Sequence, residues 1–214
     1  MLKRFICLAN SFKEGGRCMA GIELGLTNNP VFDFNRPKWI RPVCNTEHGQ
    51  IPDKIAEPFK LLDIIELDVL EEVGDDYQSE NVTFKETTIK TVNAFDKESL
   101  KYLCDDKKLV FGGKGKAVSQ ELIEIMEYSL TLINVNQFDV IRKTYDDRAG
   151  RPQLRMQFTY NGNSYDFPIT DPAFIYKYKN NPEVLKDISQ LYLCISLGIE
   201  WENWYYKLVA GIIF

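Results

Sequence analysis

The feature that most constrains the fold is the opening of the chain. Leu2 to Ala9 is a largely apolar run, Asn10 to Arg17 is polar with Gly15-Gly16 near its end, and Cys18 to Leu24 is apolar again. Two apolar runs joined through a Gly-Gly turn predict adjacent antiparallel strands. The last residues, Leu208-Val209-Ala210-Gly211-Ile212-Ile213-Phe214, form a similar run. Both ends are therefore expected as core strands, flush with the folded body and without a tail. That leaves function to the surface of the body itself.

Over 214 positions, 44% apolar and 13% aromatic residues are the composition of a folded protein of one large or two closely joined small domains. Phe5 to Ala9 is too short for a secretory core, and the C-terminal run falls far below the ~18 residues of a membrane span. The cysteines, Cys7, Cys18, Cys44, Cys104 and Cys194, are odd in number and form no Cys-x-x-Cys pair. They predict reduced thiols, a cytoplasmic location and no structural zinc. The net charge of −5 is unevenly spread: residues 1–62 carry +3, residues 63–80 carry −8 and the remainder is neutral. An acidic total argues against a nonspecific duplex binder, while the basic first third still allows a local groove. The acidic run Asp63 to Glu80 is expected as a solvated strand face and hairpin tip.

Further along, Lys38 to Cys44 predicts a third strand, with Pro42 marking an edge or bulge. Leu61 to Glu72 alternates, with Ile65, Leu67 and Val69 facing inward, and Val82 to Val92 is expected as its antiparallel partner. A more helical middle follows, with helices capped by Asp96 and by Ser119, the second running from Gln120 to Tyr128. A second strand set then runs from Leu130 to Ile133, Phe138 to Tyr145, Gln153 to Tyr160 and Ser164 to Ile169. Asn161-Gly162 is its hairpin signal, because both residues tolerate positive φ. Asp171-Pro172 starts another helix, and Leu191 to Leu197 and Tyr205 to Phe214 close the chain. Strands, short helices and strands again predict a mostly β, α+β protein of two tandem barrels of the oligonucleotide/oligosaccharide-binding (OB) type, over residues 1–115 and 116–214.

Cys7-Leu8-Ala9-Asn10-Ser11 with Lys13, Gly16-Arg17-Cys18 and Ala20-Gly21, then Trp39-Ile40-Arg41-Pro42-Val43, Leu197-Gly198 and Tyr206 to Gly211 together resemble the prokaryotic dual OB-containing domain family. The resemblance spans essentially the whole chain. It implies a pair of OB folds and a nucleic-acid or nucleotide-binding role in genome-conflict systems, and it carries over no catalytic residues.

The residues themselves offer several sites. OB folds bind on the face of their second and third strands, with rings stacking on bases and Lys or Arg meeting the backbone. Lys13 and Arg17 in the first turn, with Trp39 and Arg41 two apart on one strand side, form the main expected contact, with the indole uncovered. Lys114 and Lys116 in Phe111-Gly112-Gly113-Lys114-Gly115-Lys116 are a second phosphate candidate, without the order of a nucleotide triphosphatase loop because Ala117 follows Lys116. Trp204 and Tyr206, beside Trp201 and Tyr205, are candidates for a stacking platform. The expected function is a non-enzymatic module for single-stranded nucleic acid or a nucleotide, with no cofactor, metal or membrane partner. The alternative is a protein-interaction or effector-sensing module using the Trp201 to Tyr206 surface. An enzyme built on Cys44 and His48 lacks an orienting group, and Asp146-Asp147 with Arg148 and Arg151 reads as an ordinary hairpin tip.

Overall fold

The computed structural model describes residues 1–74, 76–145 and 152–214. By contacts the chain divides into two compact units, residues 1–103 with 126–128, and residues 104–125 with 129–214.

The first unit opens with the expected hairpin. Strands β1 (Leu2–Lys13) and β2 (Gly16–Leu24) pair antiparallel from Arg4↔Leu24 to Lys13↔Gly16, with a bulge at Leu8. The polar residues Asn10 to Lys13, expected in the turn, extend β1, and the reversal is confined to Glu14 and Gly15, both with positive φ. A short pair, β3 (Phe32–Asp33) and β4 (Arg36–Pro37), precedes β5 (Trp39–Val43). Next come α1 (Asp53–Ala56), β6 (Asp63–Glu72), β7 (Asn81–Phe84) and β8 (Lys90–Ala94). The ring closes in the order β1-β2-β5-β7-β6 and back to β1, with β5 and β7 parallel and the other pairs antiparallel. Pro42 lies beyond the last β2 pair, so its missing N–H removes no bond to β2.

Inside the ring, Phe5, Cys7, Met19, Ile40, Ile65, Leu67, Val69, Val82 and Phe84 form one buried cluster, with Ile55 and Phe59 packed against it. The inward set expected for β6 is therefore the observed one. The single strand expected over Val82 to Val92 is two, β7 and β8, broken by a 3₁₀ turn at Glu86–Thr88. Each pairs with a different half of β6. The acidic run is not simply solvated. Glu66 takes Arg4 at 2.7 Å and Lys90 at 2.9 Å, Glu72 takes Lys3 at 2.9 Å, and Glu80 takes Arg41 at 3.0 Å. Much of the charge asymmetry along the sequence is cancelled within this barrel.

In the second unit the expected helix from Gln120 to Tyr128 is only α2 (Gln120–Ile123), preceded by β9 (Ala117–Ser119). Then follow β10 (Leu130–Val135), β11 (Phe138–Lys143), β12 (Gln153–Tyr160), β13 (Asn163–Pro168), α3 (Pro172–Asn180), β14 (Leu191–Trp201) and β15 (Trp204–Ile213). They form a four-stranded sheet, β10-β14-β15-β9, and a three-stranded sheet, β11-β12-β13. The chain runs from one sheet to the other between β10 and β11, and among the described residues a single parallel bridge, Ile169↔Val209, links them again. With β10 and β11 taken as one strand broken by a bend at 136–137, and β9 as an added edge, five strands and α3 follow the same chain order as β1, β2, β5, α1, β6 and β7 of the first unit, closed there and half-open here. Asn161 (φ 48°) and Gly162 (φ 73°) make the expected β12–β13 turn. Asp171 caps α3 by accepting from Phe174 N at 3.0 Å. The glycine-rich loop, which straddles the boundary drawn at residue 115 from sequence, packs with the second unit.

Backbone closeness makes the first hairpin sensitive at one position. A Cβ on Gly21 would stand 1.6 Å from the Ile6 carbonyl oxygen, which belongs to the paired strand. Gly21→Ala should destabilise the barrel by on the order of 4 kcal/mol or more, a large part of a typical domain's stability. Urea unfolding followed by circular dichroism would show it, and a midpoint within error of the wild type would refute it.

Candidate nucleic-acid interface

Lys13, Arg17, Trp39 and Arg41 are placed differently from the exposed cleft expected of them. Trp39 and Arg41 do share the outer side of β5, since Ile40 between them lies in the barrel core. The indole, however, is 7% exposed and the guanidinium residue 1%. Arg41 pairs with the buried Glu80 at 3.0 Å, and the Arg41 N–H donates to the Glu80 carbonyl at 2.8 Å. Arg17 donates to Asp53 Oδ1 at 2.5 Å and lies 4.9 Å over the Phe12 ring. Lys13 is half-buried, and its ammonium is pushed below its usual range by burial and by the nearby Arg41 charge. The expectation of an uncovered indole is thereby corrected. A charge leaves water only where a partner awaits it, and Arg41 finds that partner at the start of the β5–β7 pairing.

Lys114 and Lys116 meet a different situation. They line a cavity of about 710 Å³ in the second unit, together with side chains of β11, β12 and β13. Alternation along β12 turns Met156, Phe158 and Tyr160 into the core and leaves Arg155, Gln157 and Thr159 on the other side. The register sets Gln157 opposite both Asp139 on β11 and Asp166 on β13. Beneath, Phe158, Tyr165 and Phe167 pack with ring centroids 5.3 to 5.4 Å apart, Phe158 stacked on Tyr165 and edge-on to Phe167.

Asp166 holds the centre of this face. Arg155 Nε donates to Asp166 Oδ1 at 2.5 Å, Nη2 to the Asp166 carbonyl at 2.7 Å and Nη1 to Gln153 Oε1 at 2.8 Å. Lys143 donates to Asp166 Oδ2. Burial alone would raise the Asp166 pKa, but hydrogen bonds from Lys143 and Arg155 outweigh it and hold the carboxyl below the usual range. Lys114 and Lys116 form no ion pair among the described residues. Lys116 Nζ stands 5.6 Å over the Tyr206 ring. Tyr206 and Trp204 alternate along β15 on the same side. At the adjoining turn Trp201 and Trp204 face each other across the register, 63% and 47% exposed.

The loop that carries the two lysines is anchored. Lys207 is fully buried, and its ammonium donates to the carbonyls of Val110 and Gly113, each at 2.7 Å. It also lies 6.0 Å and 5.8 Å from the centroids of the Tyr165 and Phe167 rings. Burial brings its pKa down to about 8. Val110 N donates to the Tyr165 hydroxyl at 3.3 Å, and Phe111 adopts the left-handed region at φ 48°. The helix expected to face a phosphate here has only four residues and no side-chain cap from Ser119. The loop thus offers charge from lysines rather than from a helix end.

The remaining candidates separate from this face. Burial and a hydrogen bond with Glu86 push the Cys44 thiol up to about 12, away from thiolate chemistry. His48 offers its backbone N–H to Gln50 Oε1 at 3.1 Å. No group of three or more His, Cys, Asp or Glu that could hold a metal occurs among the described residues. Asp146, Asp147, Arg148 and Arg151 lie outside the described residues. Sequence reasoning missed Lys143, Arg155, Gln157 and Asp166. The polar alternation Arg155-x-Gln157-x-Thr159 marks the face of β12, while Lys143 and Asp166 join it only through the register of three strands.

The model of the dual OB-containing domain matches residues 3–212. The chain belongs to that family. No curated protein matches it. Among solved structures, a replication protein A heterotrimer bound to ssDNA matches at 10% identity and a TM-score of 0.34, covering 92% of this chain and 44% of that one. The tetrameric p202 HIN2 matches at 10% identity and a TM-score of 0.30, covering 100% of this chain and 92% of that one. For this dual OB-containing protein the strand order and the face geometry carry the argument.

Lys207 gives a test of the loop anchor. Replacing it by Met leaves the Val110 and Gly113 carbonyls without their donor, a loss of about 1–3 kcal/mol, and trypsin should then cut faster after Lys114 and Lys116. Its folded pKa of about 8 lies below the usual 10.5. The unfolded chain therefore binds the extra proton between those values, and Lys207 adds stability as pH rises through that window and loses it as pH falls through about 8. Lys207→Met should remove this increment from the difference between the two stability–pH curves. Parallel curves and unchanged cleavage would refute the anchor.

Proposed function

We propose that this dual OB-containing protein binds single-stranded nucleic acid, or a nucleotide, on the outer face of β11, β12 and β13 in its second unit. The observation that carries the reading is the cavity there, which joins two lysines that form no ion pair among the described residues to a row of amide and hydroxyl side chains. With β10 and β11 counted as one strand, β12 and β13 stand second and third in chain order, and the second and third strands form the face on which OB folds take oligonucleotides and oligosaccharides. Lys114 and Lys116 would meet phosphates, Gln157 and Thr159 would meet polar edges, and Trp204 with Tyr206 would extend the track by stacking. Lys13, Arg17, Trp39 and Arg41 serve the first barrel in this reading.

A cytoplasmic setting belongs to the proposal, because five free thiols suit a reducing compartment. No described helix is long and apolar enough to cross a membrane. The exposed Trp201 and Trp204 favour a second reading, a protein-interaction surface at the β14–β15 turn.

Fluorescence anisotropy with labelled oligo-dT across a salt series tests the proposal. Lys114→Ala with Lys116→Ala should weaken binding about tenfold at low salt and flatten the log–log salt slope by about 1.4, since each phosphate contact on a single strand contributes about 0.7. Arg17→Ala should leave binding unchanged. An absence of wild-type binding at low salt, or equal binding by the double variant, would overturn it. Recovery of one stoichiometric protein partner through Trp201 and Trp204, with no oligonucleotide bound, would instead favour the second reading.

A further inference from the structure

We propose that Asp166 is an internal competitor for the phosphate of the ligand, occupying Lys143 and Arg155 so that only Lys114 and Lys116 stay open to it. The inference rests on the nucleic-acid reading of this face and adds how its affinity is set. Asp166 lies on β13, yet its carboxylate takes Lys143 from β11 and Arg155 from β12, tying all three strands together. The guanidinium has two anchors besides that carboxylate, Nη2 on the Asp166 carbonyl and Nη1 on Gln153, so Lys143 is the cation that loss of the carboxylate would free.

Charge in the cavity then divides into two classes. The lining holds four cations, Lys114, Lys116, Lys143 and Arg155, and two acids, Asp139 and Asp166. Two of the cations already have a carboxylate in the position a phosphate oxygen would take. A phosphodiester approaching them meets like charge unless that carboxylate swings away. The triad is within reach of such an approach, because the Asp166 and Lys143 side chains are 26% and 42% exposed. Carboxylate and phosphate compete for the same donors, because both accept charge-assisted hydrogen bonds from guanidinium and ammonium groups. The outcome is a face whose attraction for polyanions is held below what its cation count implies, which favours release and reversible use.

Removing the competitor should therefore strengthen binding. Asp166→Asn is expected to bind oligo-dT three- to tenfold more tightly at low salt, with a salt slope steeper by about 0.7, the contribution of one added phosphate contact. Lys143→Ala alone should change affinity less than twofold. In the Asp166→Asn background the same change should abolish the gain, a coupling that a purely structural role for Asp166 would not produce. Thermal melting establishes that each variant is folded. If Asp166→Asn fails to fold, the unmodified protein still tests the idea, since the Asp166 carboxyl ¹³C resonance should shift on saturation with oligo-dT. Wild-type binding with no gain in folded Asp166→Asn, a Lys143→Ala loss equal to that of Lys114→Ala, or an unmoved carboxyl resonance would overturn the inference alone. Binding by neither protein would overturn it together with the nucleic-acid reading.

Discussion

Barrel closure by a parallel strand pair is the constraint on which the first unit depends. Three consecutive strands can pair as neighbours, but the fifth must return beside the third, and β7 reaches β5 along Arg41↔Asn81, Pro42↔Val82 and Val43↔Thr83. The junction is secured twice at one point. Arg41 N–H meets the Glu80 carbonyl, and the Arg41 guanidinium meets the Glu80 carboxylate with both side chains out of water. Breaking such a pair on one side leaves a buried charge without compensation, which makes Arg41 a poor candidate for a ligand contact.

The same principle distributes unmatched charge between the units. In the first, Lys3, Arg4 and Arg41 are matched by Glu72, Glu66 and Glu80 of the acidic run, and Arg17 by Asp53. In the second, closure comes down to one parallel bridge, and the three-stranded sheet keeps an open outer face. There the acids do not fully match the bases, and the excess sits on a loop that Lys207 fastens from beneath. In the proposed reading, affinity for an anion depends on which lysines remain unmatched, rather than on net charge, which is −5 for the whole chain.

Much of this architecture was legible in the residues. The reversal beside Gly15, the Asn161-Gly162 turn, the Asp96 and Asp171 caps and the inward set Ile65, Leu67 and Val69 all reflect local backbone preference or alternation, which neighbouring residues determine. The order of strands, short helices and strands again pointed to two tandem barrels, and the resemblance to the dual OB-containing family supported it. What could not be read was long-range. Nothing near Trp39 announces that its strand side is covered, or that Glu80 will close over Arg41. The break between β7 and β8 likewise follows from β6 having different neighbours along its length. Lys114 and Lys116 were found because glycines flag a loop. Lys143, Arg155 and Asp166 were not, because they become a cluster only once three strands are in register.

The most direct test is to map, by ¹⁵N–¹H correlation spectra, which amides respond as an unlabelled oligo-dT is added to the labelled full chain. The account predicts shifts concentrated in Lys114 to Lys116, Gln153 to Tyr160 and Asn163 to Pro168, with Lys13 to Cys18 and Trp39 to Val43 unmoved. Shifts centred on Trp39 to Val43, with the β12–β13 hairpin silent, would contradict it.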